Sequence, residues 1–260
     1  MGCGASSASG APPQDFTDLP APFNSRVDAI LSKGGGSNER NYIFSGDQVI
    51  EYTTWPYAPR RVVAPPVAIA NHTIFGKLPA PFNAKIDAVL TKPGGNGTSG
   101  ECHYIFSGDQ VMEITTWSYA STPVKAPPIA IASHSIFCSL PAPFNSKIDA
   151  VLSKPAAVSA SAECHYMISG DQVMEFTTWS HAPERVKAPP MSIASHKIFG
   201  SLPAPFHTKI DAVLSKPSAT VSGSAECHYV FSGEQVAPVT TWSYASSPLR
   251  GSPTTLRASS

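Results

Sequence analysis

The stretch Ile86-Asp87-Ala88-Val89-Leu90 recurs as Ile148-Asp149-Ala150-Val151-Leu152 and as Ile210-Asp211-Ala212-Val213-Leu214, with a near copy at Val27-Asp28-Ala29-Ile30-Leu31. A second word follows each copy. It reads Tyr42-Ile43-Phe44-Ser45-Gly46-Asp47-Gln48-Val49, and its counterparts start at Tyr104, Tyr166 and Tyr229. A third word, Thr-Thr-Trp, ends at Trp55, Trp117, Trp179 and Trp242. Equivalent residues lie 59 to 63 positions apart. A self-similar period of this size decides architecture before local propensity does.

Read as structure, the Asp-Ala-Val-Leu word is a short apolar run closed by Lys-Pro or Gly, which suits a buried strand. A Gly-, Ser- and Ala-rich stretch of varying length then reads as a surface loop. Tyr-x-Phe-Ser is a second strand, and Gly-Asp, or Gly-Glu in the last copy, is a hairpin turn. Gln-Val-x-Glu-x-Thr-Thr-Trp alternates and gives a third strand. Ala-Pro-Pro-x-x-Ile opens a fourth at the edge, where proline is tolerated. His-x-Ile-Phe reads as one helical turn before Leu-Pro-Ala-Pro-Phe leads the chain back inward.

Four short antiparallel strands per copy make one blade. Four blades in a ring bury faces that one copy alone cannot. The expected fold is therefore all-β: a four-bladed propeller with short helical turns between blades. Its blades span about 19–77, 78–139, 140–201 and 202–256, after a leader at 1–18. The fourth copy lacks a Pro-Pro-x-x-Ile segment. Either the tail around Ser252 to Leu256 or the segment Asp15 to Leu19 supplies its outer strand.

Composition agrees. The 26 prolines among 260 residues argue against long helices. Charged residues make up 14%, with Lys+Arg and Asp+Glu equal at 18, so no basic surplus speaks for nucleic acid. No apolar run is long enough to cross a bilayer, and no signal peptide is evident. The five cysteines are an odd set, three of them at equivalent repeat positions, and they do not read as a disulfide framework. A reducing, cytoplasmic location is expected.

These words resemble the hemopexin-like repeat, whose blades carry an Ile-Asp-Ala-Ala/Val-Phe/Leu inner strand, Tyr-x-Phe-x-Gly-Asp, an outer Pro-x-x-Ile and a Leu-Pro. The match runs from about Leu19 to Trp242, and Thr73-Ile74-Phe75-Gly76 is especially similar to the legume seed albumins of that family. The resemblance implies a four-bladed propeller and a non-enzymatic binding module for a protein or small ligand, with polyamine and haem as candidates. It also implies a channel holding calcium or sodium with chloride, the cation meeting main-chain carbonyls of Asp28, Asp87, Asp149 and Asp211. This chain departs from the pattern in three places. Val-Ile-Glu or Val-Met-Glu follows the Gly-Asp-Gln turn, the disulfide joining first and last blades in animal members has no counterpart, and an Ala-Pro-Phe-Asn stretch is added.

Other candidates have plainer readings beside them. Cys102-His103, Cys164-His165 and Cys227-His228 hold zinc-type ligands, but on three separate blades; a small buried cysteine beside an exposed or hydrogen-bonded histidine fits better. His72, His134 and His196 invite haem, but they too repeat on separate blades, which suits a helix-start or surface histidine. Glu51, Glu113 and Glu175 read as solvent-facing strand residues rather than catalytic carboxylates. The four tryptophans either pack between blades or stack on sugars, and the second option makes a soluble lectin the alternative function. Met1-Gly2-Cys3-Gly4-Ala5-Ser6 fits N-myristoylation of Gly2 with palmitoylation at Cys3. Two chains anchor stably where one does not, so the pattern implies a tether to the cytoplasmic face of a membrane. The sequons at Asn71 and Asn96 are read as accidental.

Overall fold

In the computed structural model, residues 16, 18–33, 40–54, 58, 60–91, 102–116, 122–154, 164–179, 182–216, 227–241 and 247–256 are described. Gly2, Cys3, Trp55, Trp117 and Trp242 lie outside them.

Each repeat forms one four-stranded antiparallel sheet, its strands in chain order. The first blade is β1 (Ala29–Lys33), β2 (Arg40–Ser45), β3 (Gln48–Tyr52) and β4 (Val62–Ala68). The second is β5 (Ala88–Thr91), β6 (Cys102–Ser107), β7 (Gln110–Thr115) and β8 (Val124–Ala130). The third is β9 (Ala150–Lys154), β10 (Cys164–Ser169), β11 (Gln172–Phe176) and β12 (Val186–Ser192). The fourth is β13 (Ala212–Lys216), β14 (Cys227–Ser232), β15 (Gln235–Val239) and β16 (Thr254–Thr255). The inner strands β1, β5, β9 and β13 each touch the next, and β13 touches β1, so the ring is closed. The propeller read from the repeat is the fold.

The hairpin between second and third strands turns on a glycine with positive φ, from 56° to 60° in the four copies. An L side chain is strained there. The ladder between third and fourth strands slips between Tyr52, facing Val62, and Glu51, facing Ala64, and again between Glu51 and Val49, which faces Val67. Pro65 and Pro66 fall in that slip, which the second and third blades repeat. Proline has no N–H for the ladder, so a bulge on an edge strand accommodates it. The helical turns are 3-10 turns, as at Ile69–Asn71 and Phe75–Lys77.

The core is divided among four seams between blades. In the first seam Leu31, Phe44 and Val49 of one blade meet Val89, Ile105 and Met112 of the next, with Phe75, Leu78 and Phe82 wedged between them. Both faces of a blade are therefore covered. This explains why β2 is buried from Asn41 to Ser45 and shows no clean alternation. The third strand likewise alternates less than its sequence suggests, since Val49 and Ile50 are both buried.

Both chain ends close the fourth blade. The tail supplies β16, whose Thr254 and Thr255 pair with Val236 and Gln235. In the N-terminal segment, the described Phe16, Asp18 and Leu19 belong to no strand. Instead Phe16, placed in the leader by its sequence position, is 2% exposed and sits in the seam between fourth and first blades with Leu19, Phe23, Tyr229 and Phe231. Phe16-x-x-Leu19 does there what Phe75-x-x-Leu78 does in the first seam. Asp18 accepts a hydrogen bond from the Tyr52 hydroxyl at 2.8 Å.

Candidate functional site

Among the described residues, the inner strands bring the four copies together at the axis. Asp28, Asp87, Asp149 and Asp211 stand one residue before the inner strands. Each gives one carboxylate oxygen to a turn glycine, accepting from the N–H of Gly46, Gly108, Gly170 or Gly233 at 2.6–2.7 Å. That bond ties the tip of each hairpin to the axial end of its blade. The other oxygen meets a basic side chain two residues earlier. Arg26 pairs with Asp28, and Lys85, Lys147 and Lys209 reach Asp87, Asp149 and Asp211 at 2.6–2.7 Å. The carboxylates are 4–21% exposed, whereas the cations are 48–65% exposed. Each pair thus has its negative end inward and its positive end toward water.

Lys147 senses the charges of the two preceding blades as well as its own. Its hydrogen bond to Asp149 holds its ammonium above the usual lysine range; Asp87 on the preceding blade adds to this, while burial and Arg26 on the first blade oppose it. The basic member of each pair was missed in the sequence. Its signal was an Arg or Lys two residues before every inner aspartate, a spacing that puts both side chains on one side of an extended chain.

The Glu residues are not simply solvent-facing. His72 Nε2 lies 3.9 Å from Glu51 Oε1, and this partner holds the Glu51 carboxyl below the usual range, against the opposing effect of burial. His72 Nδ1 accepts from the N–H of Ile74 and Phe75 at 3.2 and 3.4 Å. His134 accepts from Ile136 at 3.1 Å and His196 from Ile198 at 3.3 Å. Each imidazole packs on its neighbouring phenylalanine with centroids 4.8–4.9 Å apart. These histidines organise the turns.

The histidines of the Cys-His words are fully buried. His103 sits between Thr91 Oγ1 at 3.0 Å and Thr116 Oγ1 at 3.2 Å, and His165 between Ser153 and Thr178. Burial pushes His103 down to about 3, so it is a neutral core residue at ordinary pH. Cys102, Cys138 and Cys164 are reduced thiols. Cys227 is disulfide-bonded, which departs from the expectation that the cysteines form no disulfide framework. Among the described residues, no three His, Cys, Asp or Glu side chains are grouped to hold a metal. None of their helices is long and apolar enough to cross a membrane.

Two open grooves lie at the rim. One, of about 590 Å³, is lined by Asp18, Arg60, Arg61 and Val63; another, of about 430 Å³, by Cys138, Glu184 and Arg185. Trp179 is half-buried beside the second, its carbonyl accepting from Arg185 at 3.4 Å.

No family model matches the chain, and no curated protein does. Solved structures do. A hemopexin fold protein, CP4, from cow pea is 18% identical, with 88% of this chain and 93% of that one covered at a TM-score of 0.63. A plant albumin from Cicer arietinum showing hemagglutination is 16% identical over 89% and 93%, with a TM-score of 0.66. A plant lectin with two metal binding sites, also from Cicer arietinum, is 14% identical over 88% and 93%, with a TM-score of 0.65. The chain has the hemopexin fold, as the resemblance implied.

Proposed function

We propose that the chain is a non-enzymatic hemopexin-like binding module whose working surface is the axis of the propeller. The observation that carries this reading is that Asp28, Asp87, Asp149 and Asp211 hold the same geometry at the start of four inner strands that touch one another in a ring. Elsewhere the ring keeps equivalent residues on separate blades. Structural neighbours described as albumins and lectins support a binding role in general.

A structural cation on the axis belongs to this proposal. The aspartate carboxylates are engaged by glycine N–H groups and basic side chains, so main-chain carbonyls of the same four residues are the donors in question. Oxygen donors of that kind suit hard cations such as calcium or sodium, with chloride as the counter-ion. The Cicer arietinum lectin of the same fold, with its two metal binding sites, supports this. Calcium titration of metal-stripped protein tests it. Saturable heat with a raised Tm supports a cation, and identical melting with calcium or chelator removes it.

Of the small ligands, polyamine stays within the proposal. Haem has less support, since His72, His134 and His196 each use Nδ1 on a turn N–H and stand on separate blades. Acylation at Gly2, with a second chain at Cys3 where that thiol is reduced and not in a disulfide, is proposed on the cytoplasmic face of a membrane from the N-terminal pattern alone. Intact mass from the native cell decides it: a free Gly2 sinks the tether. The second reading is a lectin, favoured by hemagglutination in one neighbour. A glycan array with no binding at high concentration discards it.

A further inference from the structure

The geometry points to a second site at the same end of the axis: Arg26, Lys85, Lys147 and Lys209 form a ring that binds an oligophosphate group through several cations at once. The ring differs from the proposed main-chain cation site because its donors are side chains. Three features carry it. Four cations, one from each blade, are gathered round one axis by inner strands that touch in sequence. Each is oriented by its carboxylate, yet stays about half exposed or more. A lysine ammonium has three N–H donors, and the aspartate accounts for one.

The form of the charge selects the ligand. From a distance each cation–carboxylate pair is nearly neutral, so a single small anion gains little. At contact the positive ends lead, and an anion with linked charged groups meets several of them together. Stability alone gives a weak reason for the fourfold basic residue, because exposed ion pairs contribute little. The turn glycine N–H already satisfies one oxygen of each aspartate.

The test is calorimetric titration of sodium tripolyphosphate into the metal-stripped full chain. Expected is one site per chain, with affinity falling as salt rises. Replacing Lys85→Gln, Lys147→Gln and Lys209→Gln together weakens it about tenfold, taking each cation as an exposed contact. The matching Lys→Arg triple keeps it, and Lys187→Gln, at an exposed site on β12, leaves it unchanged. If the triple Gln protein fails to fold, Lys209→Gln alone, the most exposed of the four, still weakens binding about twofold. A parallel arm uses phosphatidylcholine vesicles with and without phosphatidylinositol bisphosphate. Binding only to the latter, lost in the triple Gln protein, assigns the phosphate to a lipid headgroup; binding of tripolyphosphate alone assigns a soluble ligand. No binding in either arm, or binding that the Gln substitutions leave intact, overturns the proposal.

Discussion

Replacing Phe16 with alanine tests whether the N-terminal end of the chain closes the ring. Phe16 is 2% exposed. Its ring lies 5.4 Å from Tyr52, nearly parallel at 20°, and meets Tyr229 and Phe231 edge-on at 5.1 Å each. Tyr52 belongs to the first blade and the other two to the fourth, so one side chain bridges both walls of the seam. Burying an aromatic ring removes about 150–250 Å² from water, worth roughly 4–6 kcal/mol at about 25 cal/mol per Å². That is an upper figure, since the unfolded chain already hides part of it. Measured large-to-small substitutions suggest about 3–5 kcal/mol. Chemical denaturation reads the loss as a lower midpoint at unchanged slope. Phe75→Ala, in the equivalent place of the first seam, is the comparison and should cost about the same. If Phe16→Ala costs under about 1 kcal/mol while Phe75→Ala costs about 3–5 kcal/mol, the seam is not closed by this end and the reasoning fails.

Other perturbations reach separate parts of the molecule. Tyr52→Phe, which removes the hydroxyl bond to Asp18, should cost about 1 kcal/mol in the same denaturation assay. Gly46→Ala meets no atom within 4 Å but keeps φ at +58°; its cost should therefore be conformational, about 1–2 kcal/mol. Glu51 has a lowered folded pKa, so its stabilising effect is fully present above the unfolded value of 4.5 and is lost as pH falls through the folded one; Glu51→Gln should flatten that acid limb of a stability-versus-pH curve. His103 is held down to about 3 from 6.5. The unfolded chain takes up the proton first, so stability is full above 6.5 and falls as pH drops toward 3. The His103 ring signals in NMR should show no titration near the usual histidine range, and a midpoint near 6.5 would refute its buried, neutral state.

Much of this molecule was legible because its sequence says the same thing four times. The Gly-Asp turn fixed each hairpin, and the pairing of inner aspartate with Lys or Arg needed only a spacing of two. Other features depend on geometry that no local pattern carries. His72 meets Glu51 across 21 positions, because the 3-10 turn after β4 carries the histidine back over β3. His103 looked like one face of a half-exposed strand; a blade sandwiched between two others has no exposed face there. Phe16 was readable in principle, since Phe-x-x-Leu precedes each Pro-Ala-Pro-Phe word, but its position before the first full copy assigned it to the leader. Gly76 and Gly200 show the reverse case. A Cβ at either would collide with the carbonyl of Ala70 or Ala194, and where the second copy has Cys138 instead, the following 3-10 turn gives way to plain turns.

The copies also differ in an informative way. The fourth has Pro238 where Glu51 stands in the first, its outer strand has shrunk to Thr254–Thr255, and a phenylalanine from the opposite end of the chain fills its seam. The rim of the propeller is therefore threefold at best. The axis is fourfold throughout: an aspartate, a turn glycine and a basic residue occur in every copy, with Arg26 as the one change of type. The hairpin bond explains the aspartate and the glycine, because without it a largely buried carboxylate and the turn N–H would lose their partners. It does not explain the basic residue. A cation exposed by half gains about 0–1 kcal/mol from its carboxylate, too little to require one in all four blades of a chain that lets its rim diverge. A ligand that touches all four blades at the axis would require it.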